Sequence, residues 1–126
     1  MAENFWYAKL RQSVEETIRN VPDFPKEGIQ FKDITPLFKD EALFEKLMSY
    51  YATTLRGKGI NKIVCVDARG FIFGSVLANK MGIPFVLARK SGKLPAKTIG
   101  HTYNLEYGTA TIEMHIDDIK SSDTVL

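Results

Sequence analysis

Two short apolar runs flanking a helix-length segment constrain this chain more than any other feature. Ile63-Val64-Cys65-Val66 reads as a buried strand that breaks off at Asp67-Ala68-Arg69-Gly70. An apolar segment of helical character follows and closes at Met81-Gly82. A second apolar run, Pro84-Phe85-Val86-Leu87-Ala88, then leads into Arg89-Lys90. Such runs, bounded by turn residues and separated by a helical pattern, predict a strand–helix–strand unit. In open α/β sheets ligands sit at the carboxyl edge of the strands, where helix N-termini offer free N–H groups to anions. Here a cation stands at the end of each strand, so the unit predicts an anion site, with phosphate the natural occupant. Gly70 adds a position where backbone can approach a ligand closely.

The rest of the composition sets limits. A chain of 126 residues, 44% hydrophobic and 25% charged, is one domain's worth of ordinary globular sequence. A formal charge of +2 argues against a nucleic-acid partner, which calls for a clustered basic face. The cations are uneven, however: Arg89, Lys90, Lys93 and Lys97 fall within nine positions. A local cluster of that kind can serve a small anion without making the whole surface basic. The single cysteine, Cys65, rules out an internal disulfide and sits mid-strand as a small hydrophobe. No apolar run approaches the roughly 20 residues of a membrane span. Glu3, Lys9 and Arg11 interrupt any secretory apolar region at the N-terminus. These features suit a cytoplasmic enzyme or binding domain with no membrane partner.

Along the chain, Leu10, Val14, Ile18 and Val21 recur at helical steps and predict a helix over residues 5 to 20, stopped by Val21-Pro22-Asp23-Phe24-Pro25. Gly28 to Ile34 alternates as a short extended segment, and Thr35-Pro36 turns the chain. Asp40 is the expected N-cap of a second helix with Leu43, Phe44, Leu47, Met48, Tyr51 and Leu55 on its apolar face, ended by Gly57-Lys58-Gly59. Ser91 to Thr98 reads as a basic loop. Thr109 to Ile116 reads as one strand of a hairpin whose partner lies around 98 to 105. Residues 119 to 123 form a turn, and Thr124-Val125-Leu126 reads as the opening of another strand, as if the chain were cut short there.

Several motifs have plainer readings. Arg69 could simply pair with Asp67, and a run such as Arg89-Lys90 is usually a solvated face. What shifts the balance is that both lie at one sheet edge, as binding a diphosphate requires. Gly92-Lys93 lacks the glycines of a Walker loop, and Gly57-Lys58-Gly59 lacks those of a dinucleotide fingerprint. His101 and His115 form no metal set, and Ser75 has no nucleophile-elbow pattern. Tyr103-Asn104-Leu105-Glu106-Tyr107-Gly108 reads, from pattern alone, as a hairpin turn.

Four segments in register carry a resemblance covering nearly the whole chain. They are Asp23-Phe24-Pro25 with Gly28 to Ile34, then Asp67 to Gly74, Arg89-Lys90-Ser91-Gly92-Lys93-Leu94-Pro95, and Tyr103 to Gly108. In these the sequence resembles the adenine phosphoribosyltransferases, a purine-salvage family of the type I phosphoribosyltransferase fold. The resemblance implies an α/β fold with a parallel-sheet core flanked by helices and a flexible hood. It implies a single domain over 1–126, within which residues 1–35 carry the N-terminal helix and adenine-pocket segment and 94–116 form the hood. The implied reaction joins adenine to 5-phosphoribosyl 1-diphosphate, giving AMP and pyrophosphate, with Mg²⁺ held mainly through the diphosphate.

Residue by residue, the resemblance makes Asp67-Ala68-Arg69-Gly70 the pyrophosphate loop, with a non-proline cis peptide at Asp67–Ala68 or the next bond, and gives Arg69 the diphosphate. Lys90, Lys93 and Tyr107 belong to the same substrate site. Ile29, Gln30, Phe31 and Lys32 become the adenine pocket, with Lys32 where the family commonly has arginine. Glu106 becomes the proton-handling carboxylate, and Arg89 matches the residue that family homodimers lend to the partner's site. The family's acidic pair and Thr-Gly-Gly-Thr-like loop, which grip the phosphoribose, would be expected just after Val125-Leu126. Asp117-Asp118 is not that pair. On this reading the 126 residues alone would be inactive. A non-catalytic regulatory or binding protein on the same fold stands as the alternative.

Overall fold

The computed structural model describes residues 2–106 and 108–126, with side chains from Phe5 onward. The chain falls into two compact units, Met1–Tyr50 and Tyr51–Leu126.

In the first unit, helix α1 (Ala2–Thr17) is followed by an antiparallel ribbon of β1 (Arg19–Pro22) and β2 (Gln30–Asp33), a short 3-10 helix over Thr35–Lys39, and helix α2 (Glu41–Leu55), which runs on into the second unit. Leu10, Leu37 and Leu43 form the buried cluster, with Val14, Ile18, Ile34 and Tyr50 packed around it. Each such leucine contributes about 1.5–3 kcal/mol of burial. The helix therefore ends earlier than its periodicity predicts. Ile18 still reaches the cluster, but Val21 lies opposite Phe31 in the ribbon. Pro22 disfavours helix at Val21, and pairing Arg19–Pro22 with Gln30–Asp33 gives those backbone groups their partners. The expected N-cap forms: Asp40 Oδ1 accepts the Leu43 N–H at 3.0 Å. The 3-10 helix is new relative to the sequence reading, which has only a turn at Thr35-Pro36. The Thr35 N–H donates to Asp33 Oδ1 at 2.9 Å, and the turn drives Leu37 into the core.

The second unit holds a four-stranded sheet of β3 (Ile63–Val66), β4 (Phe85–Lys90), β5 (Thr98–Leu105) and β6 (Gly108–His115) in the order β3-β4-β6-β5. β3 and β4 are parallel and joined through helix α3 (Arg69–Met81), the expected strand–helix–strand unit. Gly74 lets α3 approach β3, since a methyl there would stand 2.2 Å from Cys65 Sγ. Gly82, at φ 67°, closes α3: its N–H donates to the Asn79 carbonyl and the Ile83 N–H to the Ala78 carbonyl. That pair of bonds is a Schellman motif. β6 pairs antiparallel with β4 through Arg89↔Glu113 and Lys90↔Ile112, and with β5 along eight residue pairs. Arg89 and Lys90 thus lie within β4 and not in a loop after it, because β6 extends the ladder past the apolar run. Thr124–Leu126 runs parallel beside the other edge of β3, with Val64 N–H donating to the Leu126 carbonyl at 2.8 Å.

Candidate functional site

The parallel pairing of β3 and β4 brings two of the sequence-predicted segments to one edge. The Asp67 N–H donates to the Ala88 carbonyl at 2.8 Å, so the loop after β3 is laced to the end of β4. The Asp67–Ala68 peptide is cis, at the first of the two bonds named from the sequence. Ala68 caps α3 without a side-chain hydrogen bond, and Arg69 opens the helix. A methyl on Gly70 would rest 3.6 Å from Cys65 and Val66 atoms, ordinary contact, so packing of this chain alone does not demand glycine there.

The charges at this edge divide into held and free. Asp67 does not pair with Arg69. Its Oδ2 lies 3.4 Å from Arg89 Nε and accepts the Lys90 N–H at 3.4 Å. Arg89 Nε is buried against that oxygen, but the alignment falls short of a hydrogen bond. Arg89 Nη1 reaches the Lys93 carbonyl at 3.4 Å, and the guanidinium lies 5.6 Å from the Phe71 ring centroid. Arg89 is therefore fixed on three sides within its own chain. Arg69, Lys90 and Lys93 are exposed and, among the described residues, in no ion pair.

Lys90 and Lys93 bracket a tight turn in which the Lys93 N–H donates to the Lys90 carbonyl at 3.3 Å, with Gly92 at φ 79°. Positive φ at the third turn position is what glycine permits. A residue that the sequence reading missed holds this turn. Glu113 Oε1 accepts the Ser91 hydroxyl at 2.6 Å and Oε2 accepts the Gly92 N–H at 3.1 Å. Those bonds, the Ser91 hydroxyl first, hold its carboxyl below the usual glutamate range. No local signal in the sequence marks it, because its turn partners lie 22 and 21 residues earlier in the chain.

The β5–β6 hairpin is where the hood was expected. Leu105 pairs with Gly108, so Glu106 lies in the two-residue connection; Tyr107 lies outside the described residues. β6 meets β4 only at Ile112 and Glu113, so its first residues and their β5 partners pair only with each other, past the carboxyl end of β4. Three residues separate Thr111 from Gly108, about 10 Å of arm at ~3.4 Å per residue. Glu106 is exposed at the tip, on the same side as the Asp67 loop, and makes no ion pair among the described residues.

Ile29 to Lys32 lie in the first unit. Phe31 is half-buried with the Phe24 ring edge-on at 5.1 Å, while Lys32 Nζ donates to Asn20 Oδ1. Successive strand residues face opposite ways, so Phe31 and Lys32 present side chains to opposite faces of the ribbon. A base stacked on Phe31 would meet Lys32 through its backbone. A groove of about 540 Å³ along α1 and the start of α2, lined by Trp6, Lys9, Glu16, Asp40 and Lys46 among others, contains none of these residues. Among the described residues no helix is long and apolar enough to cross a membrane.

Comparison with known proteins adds to this geometry. No family model matches the chain. An adenine phosphoribosyltransferase of Geotalea daltonii is 50% identical over 91% of this chain and 67% of its own length. The crystal structure of adenine phosphoribosyltransferase from Thermoanaerobacter pseudethanolicus superposes with a TM-score of 0.86 at 45% identity, covering 90% of this chain and 66% of that one. The Saccharomyces cerevisiae enzyme, solved with D-2,5-dideoxy-2,5-imino-altritol 1,6-bisphosphate and adenine, gives 0.89 at 36% identity over 94% of this chain and 69% of that one. The chain spans about two thirds of the relatives it matches. With an α/β fold of that topology, and with identity at this level along nine tenths of its length, the chain belongs to the adenine phosphoribosyltransferase family.

Proposed function

We propose that the protein carrying this chain transfers the 5-phosphoribosyl group of 5-phosphoribosyl 1-diphosphate to adenine, giving AMP and pyrophosphate. The observation that carries the reading is the edge where the Asp67 loop and the Arg89–Lys93 turn converge, with Arg69, Lys90 and Lys93 left exposed. In the reaction the C1′–O bond to diphosphate breaks, its electron pair leaves on oxygen, and a bond forms from adenine N9 to C1′. Negative charge grows on the departing diphosphate, so cations fixed there favour the transition state over the ground state. Arg69, at the first turn of α3, and the Lys90–Lys93 turn take that role. Glu106, carried on the arm, accepts the proton that N9 gives up. Folding of the arm over the site would exclude water, which otherwise hydrolyses the activated ribose. Ile29, Gln30, Phe31 and Lys32 form the base pocket, with Phe31 against the ring.

Mg²⁺ enters this reading as the counter-ion of the diphosphate. As the resemblance implies, such an ion would be held mainly through the diphosphate oxygens, with water completing its shell. It supplies charge neutralisation on the leaving group. The reading also makes the protein a cytoplasmic homodimer, as the resemblance implies. Sedimentation at a single-chain mass would remove the dimer, and recovery with the membrane or secreted fraction would remove the location. The non-catalytic alternative is not favoured by relatives that bear an enzyme's name.

The test is AMP formation by the protein as its gene encodes it, supplied with adenine, 5-phosphoribosyl 1-diphosphate and Mg²⁺. Glu106→Ala is expected to lower kcat by about 10²–10⁴ with the unfolding midpoint unchanged. Turnover of guanine or hypoxanthine in preference to adenine, or none of any base, would sink the proposal.

A further inference from the structure

The hydrogen bonds of the Glu113 side chain go to the turn between Lys90 and Lys93, and that turn carries two of the cations. Glu113 stands on β6 directly opposite Arg89. Its two carboxylate oxygens take the Ser91 hydroxyl at 2.6 Å and the Gly92 N–H at 3.1 Å, the two central residues of the Lys90–Lys93 turn. The Ser91 N–H is further tied to the Thr111 carbonyl of the same strand at 3.2 Å. The Lys93 carbonyl at the end of the turn is in turn an acceptor for Arg89 Nη1. The conformation of the turn, and with it the separation of Lys90 from Lys93 and one contact of Arg89, therefore depends on the Glu113 carboxylate.

We infer that Glu113 is a positioning residue for the diphosphate subsite, fixing the Lys90–Lys93 turn from the root of the β5–β6 arm. The inference rests on the phosphoribosyl-transfer reading. A positioning role and a mere nearby charge make opposite predictions. A carboxylate beside an anion site repels the anion, so removing its charge should tighten binding if charge were all that mattered. If Glu113 acts by holding the turn, removing the charge loosens binding, because a glutamine can accept from Ser91 or from Gly92 with its one oxygen but turns a donor toward the other.

The experiment measures pyrophosphate affinity by calorimetry, and the KM values for 5-phosphoribosyl 1-diphosphate and for adenine, in Glu113→Gln, Glu113→Ala and Ser91→Ala. Glu113→Gln and Glu113→Ala are expected to weaken pyrophosphate binding about tenfold and to raise the KM for 5-phosphoribosyl 1-diphosphate to match, with the adenine KM within about twofold. Ser91→Ala, which keeps the charge and removes one bond, should lie between these and the wild type. Tighter pyrophosphate binding in Glu113→Gln, or an equal rise in both KM values, would overturn the inference. Circular dichroism and the unfolding midpoint identify a variant that has lost its fold, and Ser91→Ala then decides the question alone. Wild-type protein that binds pyrophosphate but forms no AMP would count against the transfer reading and leave the turn's role to be read from affinity.

Discussion

Replacing Gly74 by alanine tests the packing that sets α3, and with it the Asp67–Gly70 loop, on the sheet. In an exposed helix interior, alanine is worth about 1 kcal/mol over glycine. At Gly74 the added methyl would lie 2.2 Å from Cys65 Sγ, 3.3 Å from Cys65 Cβ and 3.5 Å from Ile63 Cγ2. Non-bonded carbon atoms prefer about 3.5–4.0 Å, so only the sulfur contact is severe. Cys65 is 1% exposed, so the sulfur is enclosed by its neighbours. Overpacking of this kind costs about 1–3 kcal/mol, so against the helix gain Gly74→Ala is left net destabilised by up to about 2 kcal/mol. Cys65→Ala removes the clashing atom. In that background the methyl fills the space the sulfur left, and the same substitution becomes neutral or stabilising by up to about 1 kcal/mol. Urea midpoints for the wild type, both single variants and the double variant give the coupling directly, with about 2 kcal/mol expected. An equal cost of Gly74→Ala in both backgrounds would refute the account, since it would place the strain somewhere other than at the sulfur.

Other outcomes follow from the same geometry. Asp67→Ala, which removes the carboxylate paired with Arg89 and the acceptor of the Lys90 N–H, should cost about 1–3 kcal/mol and Asp67→Asn less, read from thermal midpoints; an unchanged Asp67→Ala midpoint would contradict the pairing. Gly82→Ala forces a methyl into left-handed backbone at φ 67° and should cost about 1–2 kcal/mol in the same measurement. The Cys65 thiol, raised in pKa by burial, should resist a thiol reagent at neutral pH until the protein unfolds, so stoichiometric labelling of native protein would count against it. Asp123 is held below the ordinary aspartate value near 3.9 by the Lys120 N–H first and then by Lys62. A carboxyl with a depressed folded pKa contributes stability that is whole above its unfolded pKa and lost as pH falls through the folded one. Stability should therefore drop below about pH 4, and Asp123→Asn should flatten that acid limb in a pH series of urea midpoints.

Much of the second unit was legible because its determinants are local. The apolar runs at 63–66 and 84–88, the closing Gly82, and the alternation on either side of Glu106 each mark an element without reference to the rest of the chain. The elements that the sequence hid depend on partners far along it. Arg19–Pro22 continues a helical pattern and becomes a strand only because Gln30–Asp33 pairs with it. Arg89 and Lys90 look like loop because they are charged, yet β6 draws them into β4. The same reason concealed the partners of the two carboxylates at the site. Asp67 is two residues from Arg69 and twenty-two from Arg89, and the parallel register gives it to the distant one. Glu113 is separated from Ser91 by the whole hairpin, so nothing in the local sequence marks it.

Those two carboxylates bear on how the cationic edge works. In water-exposed protein surroundings a unit charge about 4 Å away is worth about 4 kcal/mol at an effective dielectric constant near 20. Asp67 and Glu113 therefore offset part of the attraction that Arg89, Lys90 and Lys93 offer to an anion. If net charge governed the site, both would weaken it. Their contacts show where the compensating gain lies: neither engages the exposed side chains of Arg69, Lys90 or Lys93, and each instead fixes the frame behind them, Asp67 through Arg89 and the Lys90 N–H, Glu113 through Ser91 and Gly92. Charge that develops on a leaving group is stabilised most by donors that need not reorganise at the moment of reaction. On the proposed reading, a site with fewer carboxylates would hold the resting diphosphate more tightly but place its cations less well. That would favour the ground state over the transition state, the reverse of what catalysis needs. The partition of this edge into held and free charges is accordingly the arrangement expected of a site that expels its anion, and not of one that stores it.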